Sequence, residues 1–198
     1  DGRGVRCMFI ESKHPAGEGW MHWTDGGASG GRPMHHAAAP SCEVTNWRFL
    51  AEHYAGAATS ARVNALAEKL GVSSDSLRAL RIGWSGEFWT FPMCAAADRI
   101  VGIMRRWPDG EKKTMKGGHL GVGLPRDFAS WNGDAVWVAE GASDCAALLT
   151  LGLHAIWRAS CSSSIVILVK LLAGRRVVIC ADQDTPGLRG ARIWRRAG

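Results

Sequence analysis

The sequence is short of the features that would place it in a membrane or in a disulfide framework. No apolar run approaches the roughly 18–20 residues needed to span a bilayer. The longest, Ile165 to Ala173, is interrupted by Lys170. Residues 1–20 hold no apolar h-region, so no signal peptide is expected there. The six cysteines, at positions 7, 42, 94, 145, 161 and 180, form no Cys-x-x-Cys pair. Most sit in apolar or small-residue settings and read as reduced thiols of a cytoplasmic protein. Tyrosine occurs once against ten tryptophans, a bias from which no function follows. An initiator methionine is also missing: the chain starts at Asp1, which reads as a fragment cut at one or both ends.

What is present is a globular balance. The 198 residues are 46% hydrophobic and 21% charged, enough for one domain or two small ones. Acidic residues are outnumbered, 18 against 24 Lys and Arg, for a net charge of +6. That excess favours an anionic partner, nucleic acid before membrane surface. The cations cluster: Arg99, Arg105, Arg106, Lys112, Lys113 and Lys116 in one group, Arg189, Arg192, Arg195 and Arg196 in another.

Three regions follow. Residues 1–45 are rich in Gly, Pro, Ala and His and read as a flexible linker or the remnant of an upstream domain. Cys7, His14, His22, His35 and His36 match no zinc-finger spacing, so no zinc site is read. Residues 46–128 form a helical and antiparallel-β region. Trp47, Leu50, Ala51 and Tyr54 have helical spacing, Ser60 to Leu70 forms a second helix stopped by Gly71, and Ser73 or Ser74 caps a third. Trp89–Phe91 and Ile100–Met104 read as strands. Residues 133–198 alternate strand and helix: strands at Val136–Ala139, Ala155–Trp157 and Arg176–Ala181, helices at Ser143–Leu151, Ser164–Leu172 and from Gly187. That order implies a parallel sheet with right-handed crossovers.

Ligands of open parallel sheets bind beyond the carboxyl ends of strands. There the first strand delivers Glu140-Gly141-Ala142-Ser143-Asp144, and the third delivers Asp182-Gln183-Asp184. Asp182 and Asp184 face the same way in extended backbone. Paired carboxylates on one rim suit a hard divalent cation, Mg²⁺ most naturally, or Mn²⁺. Taken singly, Asp144 could only complement a helix dipole, Asp-x-Asp before Pro-Gly could be turn chemistry, and Glu140 could be a surface acid. The conjunction is what carries chemistry.

Residues 136–190 resemble a Toprim domain, the fold shared by bacterial-type primases, topoisomerases and certain nucleases. The resemblance makes Glu140 the first-strand acid, a metal ligand or a general acid/base, and Asp182 and Asp184 the metal-holding pair, with Asp144 as the acid that often follows. Residues 60–125 are similar to the amino-terminal part of the bacterial-type primase catalytic core. Leu80-Arg81-Ile82-Gly83-Trp84 looks like its Ile-Gly-aromatic turn. Trp89-Thr90-Phe91-Pro92-Met93 looks like its Phe-Pro strand, and Arg99 to Arg106 with Lys112-Lys113 like its glycine-bearing strand and basic hairpin. The fold expected is therefore an α+β basic N-terminal subdomain followed by an α/β, parallel-sheet Toprim subdomain. Two departures suit a fragment: residues 1–45 hold no intact zinc domain, and the chain stops at Gly198 before a final Toprim strand.

The resemblance implies a DNA primase that makes short RNA primers on a single-stranded DNA template from ribonucleoside triphosphates. Its place would be the bacterial nucleoid or a phage-infected cytoplasm, without a membrane and with a replicative helicase as a further partner. Phosphate contacts would fall to Lys113 or Lys116 and to Arg105 or Arg106, with Lys112 in the same hairpin and with Arg158 and Ser160 on the strand rim. Two alternatives use the same residues differently. A Toprim nuclease would turn the carboxylates on a phosphodiester. A helix-turn-helix regulator would use Ala65 to Leu80 and have no need of the carboxylate rim.

Overall fold

The computed structural model describes the backbone of residues 4–7, 15–16 and 19–23, and residues 45–97, 99–133, 135–159, 164–183 and 185. The chain divides into two compact units, Asp1–Glu43 and Val44–Gly198. The first holds three short strands, β1 (Gly4–Cys7), β2 (Pro15–Ala16) and β3 (Gly19–Trp23), paired antiparallel in the order β1-β3-β2. No alternation in the sequence announces them. His14, His35 and His36 lie outside the described residues, as does the helix expected from Gly187.

The second unit opens with three capped helices. Asn46 accepts from the Phe49 amide at 3.0 Å and starts α1 (Trp47–Ala57). Thr59 caps α2 (Ser60–Leu70), which Gly71 ends in the left-handed region at φ 67°. Ser73 caps α3 (Ser74–Ala79), accepting from the Ser76 amide at 3.1 Å. Each cap satisfies an amide that the first helical turn leaves without a partner.

The rest is one eight-stranded mixed sheet. Its strands are β4 (Gly83–Trp84), β5 (Trp89–Ala96), β6 (Arg99–Arg106), β7 (Lys112–Thr114), β8 (Val122–Gly123), β9 (Val136–Ala139), β10 (Ala155–Arg158) and β11 (Val177–Ile179). The order is β11-β9-β10-β8-β5-β6-β7, with β4 on β5. β9 pairs parallel with both β10 and β11, and the remaining pairs are antiparallel. The two regions read from the sequence therefore share a sheet, joined where β8 meets β10.

The connections α4 (Ala142–Thr150) and α5 (Ile165–Leu171) run from β9 to β10 and from β10 to β11. Strand alternation then makes two cores. Ala139, Ala155 and Trp157 pack with Val63, Leu77 and Cys145, under α2, α3 and α4. Val136, Val138 and Ile156 pack with Leu168, Phe128 and Trp131 on the α5 side. Period-2 placement of side chains on a sheet covered on both faces explains the near-continuous apolar strands. An N-terminal helical region followed by a mixed parallel and antiparallel sheet is the Toprim-like α/β arrangement expected. Among the described residues no helix is long and apolar enough to cross a membrane.

α3 is six residues long and is bound to α4. The Ser73 amide donates to Thr150 Oγ1 at 2.9 Å, and Thr150 Oγ1 donates to Ser76 Oγ at 3.1 Å. Leu77 is fully buried. α3 is thus packed on the core through Ser76 and Leu77, with Asp75 and Arg78 exposed.

Candidate active site and nucleic-acid interface

The carboxyl ends of β9, β10 and β11 form one rim. β9 ends at Ala139, Glu140 and Gly141 make the turn, and α4 begins with the Cys145 amide on the Gly141 carbonyl at 3.0 Å. β11 runs parallel to β9 with Ile179 opposite Val138, and the Cys180 amide donates to the Val138 carbonyl at 3.0 Å. The chain thus leaves β11 beside the Glu140 turn, with Asp182 exposed on it. Asp184 and Ser160 lie outside the described residues.

Asp144 lies in the first turn of α4, beside Gly141. A Cβ added to Gly141 would lie 2.9 Å from Asp144 Oδ2 and 3.8 Å from Lys112 Nζ. The Cys180 thiol is raised above its ordinary pKa first by burial and then by the Asp144 carboxylate. Cys145 is raised well above its ordinary value by burial, then by Asp144 and by Cys180. Asp144 thus lies near enough to act electrostatically on Cys180 at the end of β11. These are hard oxygen donors on one rim, the chemistry that suits Mg²⁺ or Mn²⁺. Among the described residues no group of three or more His, Cys, Asp or Glu is drawn together closely enough to hold a metal ion.

Cations ring the turn. Arg106 Nη1 donates to Ser143 Oγ at 3.2 Å. Arg158 Nη2 donates to Glu140 Oε1 at 3.1 Å, with the Arg158 side chain 0% and the Glu140 side chain 12% exposed. Glu140, Gly141, Lys112, Arg106 and Arg158 line one small cavity, with Phe91, Met104 and Trp157 beneath. The sequence reading gives Arg158 as a candidate phosphate contact on the strand rim, and in the structure it lines the cavity at that rim. The residue is buried, because its strand lies between β9 and β8 and its charge is met inside the sheet by Glu140.

The hairpin register sorts the remaining cations. Arg106 pairs with Lys112 and Arg105 with Lys113 across β6 and β7. Alternation sends the first pair toward the Glu140 turn. Arg105 sits over Trp107 at 4.9 Å and Phe88 at 5.5 Å, and its Nη2 donates to the Thr114 carbonyl at 3.3 Å. Lys113 forms an exposed ion pair with Glu111 at 2.6 Å, the kind worth about 0–1 kcal/mol. Lys116 is exposed in the turn that follows.

A groove of about 300 Å³ lies next to the hairpin, and the sequence reading does not foresee it. Arg62, Leu66 and Lys69 of α2 form one wall; Trp84, Trp89, Arg106 and Trp107 form the other. Trp84 and Trp89 are opposed across β4 and β5 with rings 4.8 Å apart, and Arg62 lies 5.7 Å over Trp84. Arg62 and Lys69, seven residues apart on one helix face, are a legible signal. The cross-strand tryptophans are not, because their pairing depends on the register of the sheet.

The same fold occurs in solved primase cores. A DnaG catalytic core matches with a TM-score of 0.59 at 17% identity, covering 74% of this chain and 64% of that chain. The E. coli primase catalytic core matches with a TM-score of 0.59 at 17% identity, covering 77% and 66%. The primase fragment of the bacteriophage T7 primase-helicase matches at 0.54 and 15%, covering 66% and 59%. No protein-family model matches the chain, and no curated protein does. The chain thus has a Toprim, primase-core-like fold and spans about two thirds of the length of these cores.

Proposed function

We propose that this chain is the catalytic core of a DNA primase, making short RNA primers on single-stranded DNA. The observation that supports the reading is that the Glu140 turn and the Arg106–Lys112 face of the basic hairpin line one cavity at the strand rim of a primase-core fold, toward which β11 also runs.

Asp182 and Asp184 would hold Mg²⁺ or Mn²⁺, with Glu140 and Asp144 as further acids of the rim. Bound there, the cation supplies charge stabilisation at the phosphoryl group under attack. The chain's own residues do the positioning. Arg106 and Lys112 set their charges beside the Glu140 turn, where the triphosphate of an incoming ribonucleotide would be held. Arg105, Lys113 and Lys116 sit on the outer face and suit the template backbone. The groove between α2 and the tryptophans combines cations with aromatic faces, the pairing that binds unstacked single strands. One solved primase domain of this fold is bound to single-stranded DNA, which supports the same class of partner here. Cytoplasmic location and a helicase partner belong to the same reading.

The test is synthesis. Single-stranded DNA, labelled ribonucleotides and Mg²⁺ should yield short labelled oligoribonucleotides, lost in Glu140→Gln and in Asp182→Asn. Cleavage of the template without synthesis would replace the primase with the Toprim nuclease.

A further inference from the structure

All four residues of β10 are buried, and the last of them is an arginine. A charge removed from water is costly unless it is paired and hydrogen-bonded. The strand register supplies the pair. Ala155, Ile156 and Trp157 lie opposite Trp137, Val138 and Ala139 of β9. The next residue on each strand is Arg158 and Glu140, and their charges meet at 3.1 Å. On its other side Arg158 is paired with Val122 of β8, so its backbone is fixed between two strands.

We propose that Arg158 is a positioning residue that fixes the Glu140 carboxylate at the rim of the active site. The proposal rests on the carboxylate-rim reading above. A glutamate following a strand end has three side-chain torsions to order. The planar guanidinium, itself immobilised by burial, holds one carboxylate oxygen with a directed, charge-assisted bond. Glu140 is thereby ordered before any ligand arrives, and the entropy of fixing it is not charged to binding. Arg158 is 0% exposed, so its role is argued through Glu140.

The experiment is a Mn²⁺ titration followed by electron paramagnetic resonance on the 198-residue chain. It compares wild type with Arg158→Lys, Arg158→Gln and Arg158→Met, each with Glu140 intact and with Glu140→Gln. Groups that orient a metal ligand typically account for about 10–100-fold in metal affinity. With Glu140 intact, Arg158→Met should weaken Mn²⁺ binding by about that range, and Arg158→Lys by less, because its ammonium can still donate to the Glu140 carboxylate. In the Glu140→Gln background the same substitutions should change affinity by less than about twofold, since coupled residues are non-additive. Unchanged Mn²⁺ affinity in folded Arg158 variants, or an equal loss with and without Glu140, overturns the proposal. If Arg158→Met does not fold, the Lys and Gln variants carry the comparison. A wild type that binds no Mn²⁺ overturns the carboxylate-site reading and this proposal with it. A wild type that binds while the Arg158 variants are indifferent overturns this proposal alone.

Discussion

Arg106, the last residue of β6, donates to Ser143 in the first turn of α4 at 3.2 Å. The bond ties the basic hairpin to the acidic turn of the parallel strands. It separates the hairpin's cations into two groups with different expected effects. Arg106→Ala and Lys112→Ala should lower kcat by up to about a hundredfold, the scale of a ~1 Å misplacement. Lys113→Ala and Lys116→Ala should leave kcat near wild type and weaken single-strand binding. For every phosphate that a variant no longer neutralises, the log–log salt dependence should become shallower by about 0.7. Steady-state kinetics with filter binding at several salt concentrations checks both halves. Equal kinetic effects from all four substitutions would remove the two-face division.

The groove between α2 and the tryptophans should take an unstacked base. Trp84→Ala should weaken binding of single-stranded DNA by about 1–3 kcal/mol. Arg62→Ala with Lys69→Ala should reduce the salt dependence as well. Fluorescence anisotropy with unrelated oligonucleotides checks this, and binding indifferent to Trp84 would place the strand elsewhere.

Cys145 gives stability a pH dependence of known sign. Burial is the largest cause of its raised pKa. The folded chain keeps the thiol proton where the unfolded chain, with a thiol pKa of about 8.5, releases it. Its contribution is therefore fully present below about pH 8.5 and is lost as pH rises through the folded value. Denaturant unfolding in chelator between neutral and alkaline pH should show falling stability, with a shallower fall in Cys145→Ala. An equal slope in the variant would contradict this assignment.

Gly123 in β8 lies under the Trp157 indole, and a Cβ there would overlap the ring. Both strands are hydrogen-bonded at this point, so neither can withdraw. Gly123→Ala should cost about 1–3 kcal/mol by overpacking. Denaturant titration should show a lower midpoint at an unchanged m-value; an unchanged midpoint would mean that the indole moves freely.

Local chemistry is legible in the sequence. The α2 boundaries, the Gly71 stop, a serine cap at Ser73 or Ser74 (Ser73 in the structure) and the β9–α4–β10–α5–β11 order follow from caps, breakers and periodicity. Long-range register is not. β6 extends through Arg99 and Arg105–Arg106, beyond the apolar stretch that marks it, because paired β5 and β7 keep those arginines in the ladder. The two-residue strand β8, too short to signal itself, joins the parallel and antiparallel halves. Glu140 is legible as a strand-end acid, whereas the burial of Arg158 is not, since an arginine closing a strand reads as solvent-facing until its neighbour is known.

The most direct measurement of the central claim is the sequence of the product. With Mg²⁺, the four ribonucleotides and a single-stranded template of defined sequence, the account predicts short RNAs complementary to the template. Their amount should fall to background in Glu140→Gln and Asp182→Asn, with the single strand still bound. RNA unrelated to the template, or synthesis that survives loss of both carboxylates, would contradict it.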